Sequence, residues 1–151
     1  MYENLGIQSV LSETQFEAYR VIGANASGEW AYTDSTGNVK PLAITTAKAD
    51  TKTADGQWVT SAILLGGAGA VQVELDASAD VDLGTYLVAT DDGKVLDYTA
   101  AALVLSSDVI ISNLIGVSLV SQDTDADETA IITATTNIPF VAIGELFVEA
   151  S

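Results

Sequence analysis

Turn-forming residues interrupt the apolar runs of this chain at short intervals after Tyr19, and this feature constrains the possible folds most strongly. Gly, Asp, Asn and Ser separate apolar segments that are short and rich in β-branched residues. Short strands with turn residues between them are typical of all-β proteins. A chain of 151 residues also lies within the usual size of one domain. The sequence therefore predicts an all-β fold, a compact single-domain β-barrel or sandwich with short hairpins.

Local patterns predict the individual strands and turns. In Ala70–Leu75 the polar residues Gln72 and Glu74 alternate with apolar ones, as in a strand with one buried face. Gly37, Gly56 and Gly93 stand where a hairpin turn needs a positive φ. Pro41 cannot donate a backbone hydrogen bond, so its strand is predicted to be an edge strand or to be broken there. The predicted strands are residues 29–33, 38–44, 57–64, 70–75, 85–90, 94–98, 114–121, 128–134 and 145–149.

The beginning of the chain is predicted to differ from the rest. Ser12 and Gln15 have the spacing of a capping box, which favours a short helix over residues 12–19. An extended arm is the alternative, with Met1 to Leu11 as its candidate residues. Residues 1–18 are therefore assigned to an N-terminal arm or short helix, and residues 19–151 to a single β-domain. Residues 1–10 lack the basic start and apolar stretch of a signal peptide.

The composition excludes many kinds of active site. The chain contains no histidine and no cysteine, so it lacks Ser-His-Asp and Cys-His systems, imidazole or thiolate metal sites and disulfides. Its 21 acidic and 5 basic residues give a net charge of −16, which disfavours nucleic acid and anionic lipid as partners. We predict that the protein is not an enzyme and has no catalytic residue and no cofactor.

Residues 103–120 form the most apolar window, and its length approaches that of a membrane span. Asp108 and Asn113 lie within this window, and a charged residue in mid-bilayer costs roughly 2.5–3.5 kcal/mol. The window is also rich in β-branched residues, which suit buried strands. We therefore predict no membrane partner.

Three alternating carboxylates, Asp123, Asp125 and Asp127, form the sharpest local motif. Carboxylates spaced in this way can converge on Ca²⁺. An EF-hand is excluded, because Glu128 and Ala134 stand where that loop needs Gly and a bidentate Glu. A calcium site of another type, with Glu128 as a further ligand, remains open. The simpler interpretation is a solvated acidic loop, and we predict no bound metal.

Two further motifs are interpreted structurally. The glycine-rich residues 66–70 lack the Gly-Lys-Ser/Thr of a Walker loop and the following helix of a Rossmann motif, so they are predicted to form a hairpin turn. The aromatic side chains that lie within apolar stretches are predicted to belong to the core and not to stack on a ligand. These side chains are Trp30, Tyr32, Trp58, Tyr86 and Phe140.

One family resemblance covers roughly residues 57–134. It rests on residues 70–75 (AVQVEL), 80–84 (DVDLG), 85–95 (TYLVATDDGKV), 114–119 (LIGVSL) and 130–133 (AIIT). In these stretches the chain resembles the head decoration, or capsid cement, proteins of tailed bacteriophages. Residues 30–44 depart from the more regular pattern of that family, and residues 137–148 extend beyond the matching part.

The resemblance implies a virion protein that is made in the host cytoplasm and binds the outside of the assembled phage head. Its implied partner is the major capsid protein, with the cement protein sitting as a homotrimer across capsomer junctions and adding a terminal arm to a capsid sheet. The alternative function is a β-sandwich adhesion or carbohydrate-binding module with a calcium loop. A small hydrolase is a third and weaker hypothesis, since histidine is missing.

Overall fold

The structure, a computed structural model, describes residues 7–67, 69–76, 80–123 and 130–137. Its first half is a six-stranded sheet in the order β1-β6-β4-β2-β3, with β5 paired to β6 off this path, and every pairing is antiparallel. The sheet curls, so that β1 approaches β3 at its two ends. Its strands are β1 (Ile7–Ser12), β2 (Val21–Ala24), β3 (Trp30–Tyr32), β4 (Lys40–Thr45), β5 (Thr51–Lys52) and β6 (Trp58–Leu64).

The second half is a closed barrel of five strands in the order β10-β11-β7-β9-β8. The barrel closes through antiparallel pairing of β8 with β10, and one parallel pairing joins β7 to β9. Two short helices lie between β9 and β10. The elements are β7 (Ala70–Leu75), β8 (Tyr86–Ala89), β9 (Val95–Asp97), α1 (Tyr98–Val104), α2 (Ser107–Ser112), β10 (Leu114–Ser118) and β11 (Ala130–Thr135). The predicted all-β fold with a barrel is confirmed.

A shared apolar core joins the sheet to the barrel. Val21 of β2 and Ile44 of β4 are buried in one cluster with barrel residues such as Leu75 and Leu87. A second cluster fills the concave side of the curled sheet around Phe16, which is fully buried. Burial of a side chain of this size stabilises a fold by about 1.5–3 kcal/mol, so both clusters contribute substantially.

The strand predictions agree well with the structure in the middle of the chain. Ala70–Leu75 forms β7 with the predicted bounds, and β3, β4, β6, β8, β9, β10 and β11 all overlap their predicted ranges. The sequence did not indicate β1, β2, β5 or the two helices. The predicted strand at residues 145–149 lies outside the described residues.

Of the two alternatives for the beginning of the chain, the short helix over residues 12–19 is wrong. The Ser12 hydroxyl accepts a hydrogen bond from the Thr14 amide at 3.0 Å, two residues on, and so forms a local turn instead of capping a helix. Gln15 donates from its side chain to the Ala49 carbonyl at 2.8 Å, and Phe16 enters the sheet core. Part of the predicted arm belongs to the sheet, because Ile7–Ser12 pairs with β6 over its whole length; residues 1–6 lie outside the described residues. These tertiary contacts replace the local helix.

For the strand at Pro41 only one of the two predicted alternatives agrees with the structure, and the hairpin predicted at residues 66–70 is wrong. The strand that contains Pro41 is central in the sheet, between β6 and β2, and not an edge. The register between β2 and β4 shifts at Gly23, which is opposite Pro41, so the strand is irregular there as the other alternative predicted. Pro41 has no β6 residue opposite it. The glycine-rich residues 66–70 do not close a hairpin, because β6 belongs to the sheet and β7 to the barrel. Gly37, Gly56 and Gly93 do have positive φ, as predicted for their turns.

Candidate interaction surface

A charged cluster lies between the sheet and the barrel. Arg20, which directly precedes β2, places its Nη2 atom 3.2 Å from Oε2 of Glu74 on β7. Lys94 approaches the same carboxylate oxygen at 3.5 Å, and Nη1 of Arg20 donates to the Asp92 carbonyl at 2.9 Å. The Arg20 and Glu74 side chains are only 14% and 15% exposed. This cluster therefore joins the two halves of the fold, and the sequence patterns did not indicate it.

Tyr32 packs against the Arg20 side chain of this cluster. Its ring lies under the Arg20 guanidinium at 5.8 Å and meets Phe16 edge-on at 5.0 Å between ring centroids. Its hydroxyl accepts a hydrogen bond from the Glu17 amide at 2.7 Å. Burial raises the pKa of Tyr32 above its ordinary value of 10.0, and outweighs the opposing effects of the Glu17 amide and Arg20. These contacts are structural, since each links elements of the fold.

The acidic motif lies mostly outside the part of the chain that the structure describes. Asp123 is exposed, whereas Asp125 and Asp127 fall in residues 124–129, which are not described. Among the described residues, no group of three or more His, Cys, Asp or Glu side chains is arranged to hold a metal ion. The prediction of no bound metal and its alternative, a calcium site in this loop, therefore both stay predictions.

The apolar window at residues 103–120 is divided among different elements. It contains the end of α1, the whole of α2 and the strand β10. Within the described residues, no helix is long and apolar enough to cross a membrane. Leu103 and Val104 at the end of α1 are 83% and 69% exposed. They form a small exposed apolar patch on α1, the helix that contacts β8 and β9 of the barrel.

The aromatic side chains are less buried than predicted. Trp30, Tyr32, Trp58 and Tyr86 are all half-buried, and Phe140 lies outside the described residues. Trp30 and Tyr32 pack against the core of the sheet, whereas Trp58 carries the Lys52 ammonium 4.7 Å above its ring. Trp30 and Tyr32 therefore lie at the edge of the sheet core and do not fill its centre.

The strand β1 forms one edge of the curled sheet. It pairs with β6 in unbroken register from Ile7 to Ser12, and it has no second neighbour among the described strands. Its sequence, IQSVLS, contains neither a charge nor a proline. Ile7, Gln8, Ser9 and Leu11 are exposed, and only Val10 and Ser12 are buried. An uncharged and regular edge of this kind is able to pair with a further strand.

An opening of about 300 Å³ separates the end of β1 from the β2–β3 hairpin. Trp30 and Ala31 line one side, and Leu11 and Ser12 line the other. The carboxylates of Glu13 and Glu29 lie at this opening and are exposed. Within the described residues, neither carboxylate has a lysine or arginine at ion-pair distance. The opening is thus acidic and is bordered by a sheet edge that is unpaired within the described part of the chain. Sequence reasoning missed it because β1 was not predicted.

The fold defines an all-β protein in which a curled open sheet packs against a small closed barrel. No family model matches the sequence, and no curated protein matches it. Among solved structures the chain is similar to the N base of the head fiber gp8.5 in bacteriophage phi29. The TM-score is 0.53 at 15% sequence identity, and the match covers 86% of this chain and 92% of that one. At this level of identity the likeness concerns the fold.

Proposed function

We propose that this chain is a structural protein of a phage head, which binds the outside of the assembled shell and stabilises it across capsomer junctions. The observation that carries the proposal is the fold similarity to the head fiber base, which extends over 86% of the chain. The resemblance of residues 57–134 to head decoration proteins arose from the sequence separately and points to the same location. The partner is then the major capsid protein, and the location is the surface of the virion.

The physical properties of the chain suit this role. A decoration protein acts by mass action, because binding the assembled shell alone stabilises it by RT ln(1 + [L]/Kd) at each site. Such binding needs no catalytic group, and the chain has no histidine or cysteine. A net charge of −16 keeps copies of the free protein apart before they reach the head. A trimer on the shell is part of the proposal.

Co-sedimentation of the purified protein with mature and immature heads of the source phage tests the proposal. We expect saturable binding to mature heads and weaker binding to immature ones. Added protein should also raise the temperature at which mature heads release their DNA. The control is Leu103→Ser with Val104→Ser. This variant leaves the core unchanged and removes the two exposed apolar side chains at the end of α1. Absence of binding to either form of head would contradict the proposed function.

A further inference from the structure

We propose that the opening between β1 and β3 binds an extended segment of another protein, which adds a strand to the edge of β1 that no described strand occupies. The segment carries a lysine or arginine that meets Glu13 and Glu29. The identity of this partner as the head shell protein rests on the proposed function. The mode of binding rests on the geometry of the edge alone.

The edge itself provides the first argument. Natural edge strands are commonly protected by lysine, proline, a bulge or very short length. The strand β1 has six residues, pairs with β6 without a bulge, and contains no charge and no proline. By contrast, β3 at the other end of the sheet has three residues. A long, regular and uncharged edge is the arrangement that strand addition uses.

The curl of the sheet provides the second argument. The barrel half closes by pairing β8 with β10, whereas in the sheet half β1 and β3 approach each other without pairing. The space between them, about 300 Å³, is lined by the last two residues of β1, by two residues of β3 and by residues of the adjoining loops. Ile7 and Leu11, at 44% and 47% exposure, stand along β1 and offer apolar contacts to an added strand. An extended segment that pairs with β1 would continue the existing sheet into this space.

The charge of the opening identifies the chemistry of the occupant. Glu13 and Glu29 are two exposed carboxylates without a cationic neighbour among the described residues. A second copy of this chain would bring the same two carboxylates and a net charge of −16. Like charges brought together at an interface oppose binding. A basic segment from a different protein is therefore the favoured occupant.

Peptide binding to the isotopically labelled full-length protein, followed by NMR, tests the inference without phage heads. The probe is a blocked peptide of alternating valine and threonine with one central lysine. Matched peptides carry glutamate or proline at the same position. We expect the lysine peptide to shift the amide signals of β1 and of Glu13 and Glu29. The glutamate peptide should bind about threefold to tenfold more weakly, as expected for one or two exposed ion pairs, and the proline peptide should bind more weakly still.

Variants of the chain test the charges and the edge separately. Glu13→Gln with Glu29→Gln should weaken binding of the lysine peptide and remove the difference in affinity between the lysine and glutamate peptides. Asp82→Asn with Asp108→Asn, two exposed carboxylates elsewhere, should leave it unchanged. Gln8→Pro and Ser9→Pro remove amides that point to opposite sides of β1. The substitution that removes an amide on the β6 side should lower the melting temperature. The substitution that removes an amide on the opposite side should leave the melting temperature unchanged and abolish peptide binding.

Several outcomes would overturn the inference. The inference is wrong if the lysine peptide shifts amide signals only outside β1, Glu13 and Glu29, or shifts none at millimolar concentration. It is also wrong if all three peptides bind with equal affinity. Slow hydrogen exchange of every β1 amide in the free protein would mean that its own chain or a second copy already occupies the edge. Failure to bind heads while the lysine peptide binds β1 would reject the proposed function and leave this inference intact.

Discussion

The Arg20 guanidinium lies 3.2 Å from the Glu74 carboxylate, and this ion pair links the start of β2 in the sheet to β7 in the barrel. The backbone reinforces the link, because the Glu74 amide donates to the Tyr19 carbonyl at 2.8 Å. Tyr19 adopts a φ of 62°, a left-handed conformation that is uncommon for a residue with a side chain. The two halves of the fold are therefore joined by charge, hydrogen bonding and a shared core.

Removing one partner of this ion pair should destabilise the protein. Glu74→Ala leaves Arg20 and Lys94 close together without their shared carboxylate, so we expect the free energy of unfolding to fall by about 2–4 kcal/mol. Urea denaturation measures the loss. The matched control is Glu17→Ala, which breaks the exposed pair with Lys48 and should cost less than about 1 kcal/mol. Equal losses in both variants would contradict this interpretation.

Gly116 in β10 tests the close approach of two barrel strands. A Cβ atom at this position would lie 2.2 Å from the Thr135 carbonyl oxygen on β11, so Gly116→Ala forces the strands apart. We expect a loss of about 2–4 kcal/mol in the free energy of unfolding. Gly67→Ala is the control, since its nearest neighbour would be 3.7 Å away. Thermal denaturation of both variants checks the difference, and a Gly116→Ala variant as stable as the wild type would refute the expected clash.

The raised pKa of Tyr32 predicts a loss of stability in alkali. Burial favours the protonated phenol in the folded state, so the unfolded chain releases this proton at lower pH. The contribution to stability is present below pH 10.0 and declines as pH rises through the raised value. Tyr32→Phe should be less stable at neutral pH, because it loses the hydrogen bond from Glu17, and should show a shallower decline in alkali. Urea denaturation across this pH range measures both slopes, and parallel slopes would contradict the prediction.

Two N-terminal truncations test the role of β1 and the role of the residues before it separately. Deleting residues 1–11 removes most of β1, including Val10, which is 4% exposed. We expect this deletion to destabilise the sheet, because it removes five of the six residues with which β1 pairs with β6. Deleting residues 1–6 retains every described contact of β1, and we predict that it weakens head binding at an unchanged melting temperature. Full head binding by this shorter truncation would end the arm hypothesis.

Chelation tests the calcium hypothesis for the acidic loop. We expect EDTA to leave the melting temperature unchanged, and Asp125→Ala with Asp127→Ala to have no effect on a calcium titration. A melting temperature that falls in EDTA and recovers with Ca²⁺ would instead favour the calcium-dependent adhesion or carbohydrate-binding module. Replacing both residues with asparagine provides the conservative control, since it retains oxygen ligands and removes the charge.

The strands of the barrel half were predictable because their signals are local. Alternation in Ala70–Leu75 and the Gly93 turn depend on residues that are neighbours in sequence, and both appear as predicted. The interaction surface was not predictable, because β1 lacks a run of apolar residues and becomes a strand by pairing with β6. The ion pair joins residues 54 positions apart, and no local pattern indicates it.

The sequence by itself determined the all-β class, most of the turns and the absence of histidine and cysteine chemistry. These properties follow from composition, from the twofold period of strands and from the backbone freedom of glycine. Only the tertiary structure decided that residues 12–19 would not form a helix. It also decided that β6 and β7 would belong to different sheets and that β1 would be an edge strand. The reason is energetic: burial of Phe16 and Val10 and pairing with distant strands outweigh weak local preferences, which amount to about 1 kcal/mol or less per residue.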